Sequence, residues 1–482
     1  MENHRSSAPE PPQKRRARRR RRLVIASVTG CAVLGGVLVL LPRERDGAVP
    51  PAPARPPAPA PGPKAQARGT VTAGVPAALP DLAALIGERE RHLREHPLDA
   101  PAWAVLGTAY AERARRTADP AYYPKAEKAL NTSLKVGDEP SAAALEGLAA
   151  LAVARRDFPA AQEWAENARE LEPRRWTTHA VLLDAYSGLG DQEAVTQTLD
   201  ELTKLRTGQP AVRARAAAVY RDRGWREDAA AQISDAVAGA EAPAERAAYL
   251  EQAGRLAFER GDREGALRHF QEALRTDPDQ RAAQAGLGRA LAALGRTGRA
   301  VEAYRTALAK APRPEYALEL GELYESMGEE RQAREQYGLL RERVRRATAA
   351  GADEELVLGR FEADHGEARA AVRRLRAEWE RQPGIAVADA LGWALYRAGE
   401  PEEAMRYAEI ATDAKHGGGV RSAEYVFHRG MIERELGHHG RARRHIGEAL
   451  RINPYFSPLQ APAAQRALAQ LGEPSVEGPP VW

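Results

Sequence analysis

Cysteine is almost missing: Cys31 is the only one in 482 residues, so no disulfide can form within the chain. Aromatic residues make up 6% and methionines number four, too few for large rings to dominate the interior. The abundance of alanine points instead to helices packed closely through small side chains. A surface of one charge sign is lacking too. The formal net charge is +4, but residues 1–22 alone contribute +7, leaving −3 for the rest. A cationic nucleic-acid surface is therefore excluded from the body of the chain. There is no phosphate loop, dinucleotide fingerprint, nucleophile elbow or C-x-x-C, and no cofactor is expected.

What is present begins with a sharp boundary. Eight basic residues, Lys14 to Arg16 and Arg18 to Arg22, precede an uncharged apolar run from Leu23 to Leu41. As a helix that run would span roughly 28 Å, near the thickness of bilayer hydrocarbon. The positive-inside rule then predicts a basic cytoplasmic tail (1–22), a transmembrane helix (23–41) and everything later outside the cytoplasmic membrane. A cleaved signal and a lipoprotein signal ending at Cys31 are the alternatives. The run exceeds a usual signal core, however, and ten apolar residues follow Cys31. Ser27, Cys31 and Gly35 share a face at four-residue spacing, a pattern through which two anchors could pair weakly. Residues 42–80 are rich in proline and alanine and predict a disordered, semi-extended spacer without helix or sheet.

Beyond the spacer the chain repeats itself. Glycines recur at 190, 224, 261, 295, 328, 366, 399 and 437. Before the last six of them stand Gly254, Gly288, Gly321, Gly359, Gly392 and Gly430, seven residues earlier. After them stand Ala266, Ala300, Ala333, Ala371, Ala404 and Ala442, five residues later. The first glycine falls inside a helix, where it costs about 1 kcal/mol against alanine, so a close crossing must compensate. The second ends that helix in a left-handed cap, and the alanine lies on the helix that returns. Such helix pairs cannot bury their apolar faces alone and must stack into an array.

This pattern resembles the tetratricopeptide repeat, most closely at 281–312 with Leu287, Gly288, Gly295, Ala300, Tyr304, Ala307, Leu308 and Pro312. The resemblance implies an all-α solenoid, a right-handed superhelix of helix pairs, with about ten repeats over 100–456. The expected domain is 81–472, with capping helices at 81–96 and 461–472 and a disordered tail at 473–482. Residues 340–352 read as a long polar linker between repeats.

No enzymatic chemistry is expected. "HLREH" (92–96) has the spacing of a zinc helix, but Pro97 follows at once; His438, His439 and His445 cluster around a turn. No metal is assigned to either group. The functional surface should be the concave face formed by first helices. Its candidate partner-binding residues are Arg360, Asp389, Trp393, Tyr396, Arg397, Phe427, Met431 and Arg434, because aromatics with arginines mark binding hot spots. Trp393 and Tyr396 packing against the next repeat is the competing reading. The lysine and asparagine set that clamps Hsp70 or Hsp90 tails in some such repeats is not at the matching positions. The expected function is a membrane-anchored, non-enzymatic scaffold whose groove binds a protein or peptide, the alternative being an accessory subunit of an envelope complex.

Overall fold

The structure is a computed structural model that describes residues 63–72, 74–414 and 419–473, and every regular element among them is a helix. The basic tail, the spanning run with its pairing face, and residues 474–482 lie outside the described residues. No helix among the described residues is long and apolar enough to cross a membrane.

Two helices lead, α1 (Pro63–Thr72) and α2 (Leu79–Glu95). Ten antiparallel pairs follow. The first five are α3/α4 (Ala100–Thr117, Tyr122–Val136), α5/α6 (Ala142–Arg155, Phe158–Leu171), α7/α8 (Trp176–Leu189, Gln192–Leu205), α9/α10 (Pro210–Asp222, Arg226–Gly239) and α11/α12 (Pro243–Glu259, Arg263–Thr276). The second five are α13/α14 (Arg281–Ala293, Thr297–Lys310), α15/α16 (Pro314–Ser326, Glu330–Ala349), α17/α18 (Glu355–His365, Ala368–Arg381), α19/α20 (Ile385–Arg397, Pro401–Thr412) and α21/α22 (Ala423–Glu435, His439–Ile452). A last helix, α23 (Gln460–Leu471), packs on α22.

Two expectations are corrected. The spacer, expected to be free of helix to residue 80, contains α1. No proline interrupts the chain between Pro63 and Pro76, and Ala67 and Val71 bury one helical face against the neighbouring helices. Residues 340–352 are not a linker but largely helix, because α16 continues to Ala349. Leu340 and Val344, one turn apart and buried, carry the apolar stripe through the charged stretch.

The repeat chemistry works through a refinement of the expected close crossing. A Cβ on Gly254 would meet the Phe270 ring at 2.7 Å, and one on Gly288 would meet Tyr304 at 2.8 Å. The same holds for Gly321 with Tyr337 and Gly359 with Leu375. Each glycine therefore opens a pocket for a large side chain sixteen residues later. The following turn is tight. Gly190 and Gly261 take φ of 73° and 81°, and the next residues, Asp191 and Asp262, cap the second helix by accepting from the backbone amides of Ala194 and Gly265. Gly366 is the exception, with φ of −143°.

The superhelix also touches itself. The turn between the helices of one pair lies against the loop that follows the pair five repeats later. Arg313 donates to the Arg115 carbonyl, and the Asp353 amide donates to the Arg155 carbonyl at 2.7 Å. Gly190 faces the Pro383 carbonyl, Arg226 donates to the Arg421 carbonyl, and Asn453 Nδ2 donates to the Phe258 carbonyl at 2.8 Å. Three of these contacts span sequence separations of 198, 195 and 195 residues, so the spacing reflects a constant number of repeats per superhelical turn. Glycine makes the approach feasible. A Cβ would lie 2.5 Å from the Pro383 carbonyl oxygen at Gly190, 2.4 Å from the Gly419 oxygen at Gly224, and 2.7 Å from the Gly188 oxygen at Gly384.

Candidate functional site

The candidate residues chosen from sequence lie on α17, α19 and α21, the first helices of the last three pairs. Trp393, Asp389 and Phe427 are buried. The Trp393 ring stacks on His428 at 4.1 Å with an interplanar angle of 18°, and its Nε1 donates to Asp364 Oδ1 at 3.0 Å. Arg397 reaches the same oxygen at 2.6 Å. His428 Nδ1 donates to Asp389 Oδ1 at 3.0 Å, and its Nε2 lies 3.2 Å from Gln460 Oε1 on α23. Both ring nitrogens thus face acceptors. Burial disfavours the charged imidazole, but the carboxylates of Asp389, Glu424 and Asp364 outweigh it and raise the His428 pKa.

Phe427 packs against Phe456, and Arg434 donates to Gln470 on α23 at 2.9 Å. Tyr396 and Met431 pack beside this core while part of each stays accessible. Arg360 is exposed and paired with Glu424. Of the eight candidates, the structure brings Asp389, Trp393 and Phe427 into the seam joining the last repeats. It leaves Arg360, Tyr396, Arg397, Met431 and Arg434 partly or largely on the surface.

Sequence reasoning missed a second set, most of it on the first helices. Arg221 forms a two-pronged pair with Glu259, at 2.7 and 2.8 Å. Arg289 reaches Glu319 at 2.6 Å, and Tyr304 donates to that carboxylate at 2.8 Å. Arg215 reaches Asp184 at 3.4 Å. Arg156 is shared between Glu315 and Glu354. Burial raises the Glu354 pKa to about 7 despite Arg156, with Glu315 adding to the rise. Burial opposes the charged form of Glu315 as well, yet Arg156 and Arg313 bring its pKa down to about 2.

Some of these groups act on residues several repeats away. The Arg289 guanidinium on α13 helps lower the Glu424 pKa on α21, four pairs further along. Arg221 on α9 likewise acts on Tyr425. First helices remote in sequence therefore lie within electrostatic reach of each other. The signal was available in the repeat register: Arg289 and Arg360 each follow the first glycine of their repeats by one residue, and Glu259 follows Gly254 by five.

His92 Nε2 lies 2.7 Å from Asp99 Oδ2, and His445 Nδ1 lies 2.6 Å from Glu433. Neither set converges on a common point, and among the described residues no cluster of three or more His, Cys, Asp or Glu side chains could hold a metal ion. A shallow open cleft of about 480 Å³ sits between the loops at 98–101 and 136–143, lined in part by Leu98, Val136 and Pro140.

Tetratricopeptide-repeat family models match residues 257–320 and 389–457. These two stretches of the chain carry tetratricopeptide repeats. Repeats of this family are usually non-enzymatic scaffolds, and they suggest protein–protein interaction. By sequence, no curated protein matches the chain. Among solved structures, TTC0263, a tetratricopeptide-repeat protein of Thermus thermophilus, is 20% identical; the match covers 36% of this chain and 92% of that one, with a TM-score of 0.33. Human IFIT1, solved as a dimer with PPP-AAAA, is 15% identical over 77% of this chain and 89% of its own, with a TM-score of 0.42. Pseudomonas aeruginosa pilF is 17% identical over 54% and 96%, with a TM-score of 0.31.

Proposed function

We propose that this tetratricopeptide-repeat protein is a non-enzymatic scaffold, tethered to the cytoplasmic membrane through residues 23–41. In this reading its first-helix surface binds an extended protein segment outside the cytoplasm. The observation that carries the binding role is the partly exposed series of arginine–carboxylate pairs, Arg215–Asp184, Arg221–Glu259, Arg289–Glu319 and Arg360–Glu424. Such pairs contribute only about 0–1 kcal/mol each to folding, so an incoming charged segment can exchange with them at small cost. A segment of mixed charge fits this surface better than one of a single sign. The tether rests on the basic-to-apolar boundary at Leu23.

Site-specific photocrosslinking in native membranes tests the groove. A crosslinker at Glu259 or Arg289 should capture a partner, whereas one at exposed Arg331 on α16 should not. Capture at Arg331 alone would overturn the reading. Protease treatment of intact cells tests sidedness, and protection of the repeats would contradict the orientation. An accessory-subunit role is the second reading, favoured by the long, multi-repeat surface; it predicts stable co-purification with one membrane complex.

A further inference from the structure

The contacts between superhelical turns close the first-helix surface from the side. Each of the first five pairs meets a loop of the second half, and none of the five is skipped. Side chains fill the seam as well. Arg116 and Asp277 are buried and pair across it at 2.6 Å, and the Phe158 amide donates to Gln382 Oε1 at 3.3 Å. Inside the seam the first helices face one another. Arg289 on α13 lies within electrostatic reach of Glu251 on α11 and Glu424 on α21, and Arg221 on α9 within reach of Tyr425 on α21. The surface is therefore the wall of a channel and not an open groove.

Both rims of the channel are uncovered. Glu172, Arg206 and Glu241 are exposed in the loops of the first half. A Cβ on Gly295, Gly399 or Gly437, in the turns of the second half, would meet nothing within 4 Å. Tyr396, Arg397 and Arg434 stand in the last turns of α19 and α21, at the late rim.

We propose that the partner of the first-helix surface is a polypeptide with a free end, which enters this channel through a rim. The inference rests on the reading that an extended segment binds there, and adds how that segment arrives. A stretch held between two folded domains has no route in, because the wall would have to part along the seam. Two layers of first helices, each about 20 Å long, make a channel of about 40 Å, which about twelve extended residues span. The wall carries both signs of charge: Glu251, Glu259 and Glu322 stand among Arg221, Arg255 and Arg289. Those carboxylates repel a polyanion such as the end of a nucleic acid and suit a peptide of mixed charge.

The test reads access to the wall with probes of defined shape. Arg289→Cys is placed in the full chain in nonionic detergent, with Cys31, the only native cysteine, replaced by serine. One probe is a Gly/Ser peptide of about twenty residues, long enough to pass the middle of the channel, with a maleimide at its free tip. The other carries the maleimide midway along the same peptide, whose two ends are joined to small folded domains. The tip probe should label Arg289→Cys, and the bridged probe should do so about a hundredfold more slowly, since it must wait for the seam to open. Arg331→Cys, exposed on the outer helix α16, should react equally with both. Glu259→Cys repeats the measurement should Arg289→Cys lose helix content by circular dichroism. A disulfide between Arg155→Cys and Asp353→Cys, whose backbones are hydrogen-bonded across the seam at 2.7 Å, should leave tip labelling unchanged. Equal labelling by the bridged probe would overturn the proposal. So would a tip probe that fails to label, or that labels only while the seam is unlocked. These outcomes concern the route alone; photocrosslinking at Arg289 reads whether a partner binds, so either reading can fail while the other stands.

Discussion

Gly190 and Gly399 occupy the same position of the repeat and adopt nearly the same conformation, with φ of 73° and 85°. Their surroundings differ. Gly399 turns the chain in open solvent, whereas Gly190 lies against the Pro383 backbone of the next superhelical turn. In the late repeats glycine serves the backbone angle alone. In the early repeats it serves the angle and a contact almost two hundred residues away. One sequence signal therefore covers two physical roles, and only the neighbours separate them.

Substitutions can pull those roles apart. Gly190→Ala combines left-handed strain with a clash against a carbonyl, and should cost about 3 kcal/mol or more in urea unfolding. Gly384→Ala has an ordinary φ of −73°, so it isolates the clash with the Gly188 oxygen and should cost about 2 kcal/mol. Asn453→Ala removes the hydrogen bond to the Phe258 carbonyl from a buried site, and a loss of about 1–2 kcal/mol is expected. Gly399→Ala isolates the strain and should cost about 1 kcal/mol. If Gly399→Ala matched Gly190→Ala, contact between turns would contribute nothing and the comparison would fail.

The smallest effect concerns pH at the Arg156 contact. Glu354, with its pKa raised to about 7, takes up a proton on folding. Its contribution is fully favourable below the ordinary value of 4.5 and is lost as pH rises toward 7. Glu315, lowered to about 2, behaves oppositely: its contribution is present above 4.5 and lost as pH falls toward 2. Glu354→Gln should flatten the neutral-side slope by about 1 kcal/mol, after discounting for partial exposure, and leave the acid-side slope intact. Thermal melts from pH 4.5 up to about 7 would show it.

Much of the array was legible in the sequence because helix periodicity and turn chemistry are local. Gly288, Gly295 and Ala300 lie within thirteen residues and report one helix pair. The misreadings arose where local composition and burial disagree. The arginines of α16 have the composition of a linker, but Leu340 and Val344 anchor it as helix. The prolines before Pro63 hid a helix that begins there. The candidate groove residues stand out by residue type, and type alone does not say whether Trp393 faces a partner or His428 of the next repeat. The Arg221–Glu259 and Arg289–Glu319 pairs do not stand out, because scattered charges on a helix usually mean only a solvated face.

By itself the sequence determined the repeating helix pair, since a glycine, a left-handed turn and an alanine at fixed spacing leave the backbone few choices. Tertiary structure alone decided that the turn of one pair meets the loop after a later one. That contact depends on how small rotations accumulate over five repeats, and no window of thirty residues contains the sum. Pro383 and Gly419 carry no local mark of the glycines they touch. The first-helix charges were decided at the same level, because Arg289 comes within electrostatic reach of Glu424 only after the chain has wound most of the way around.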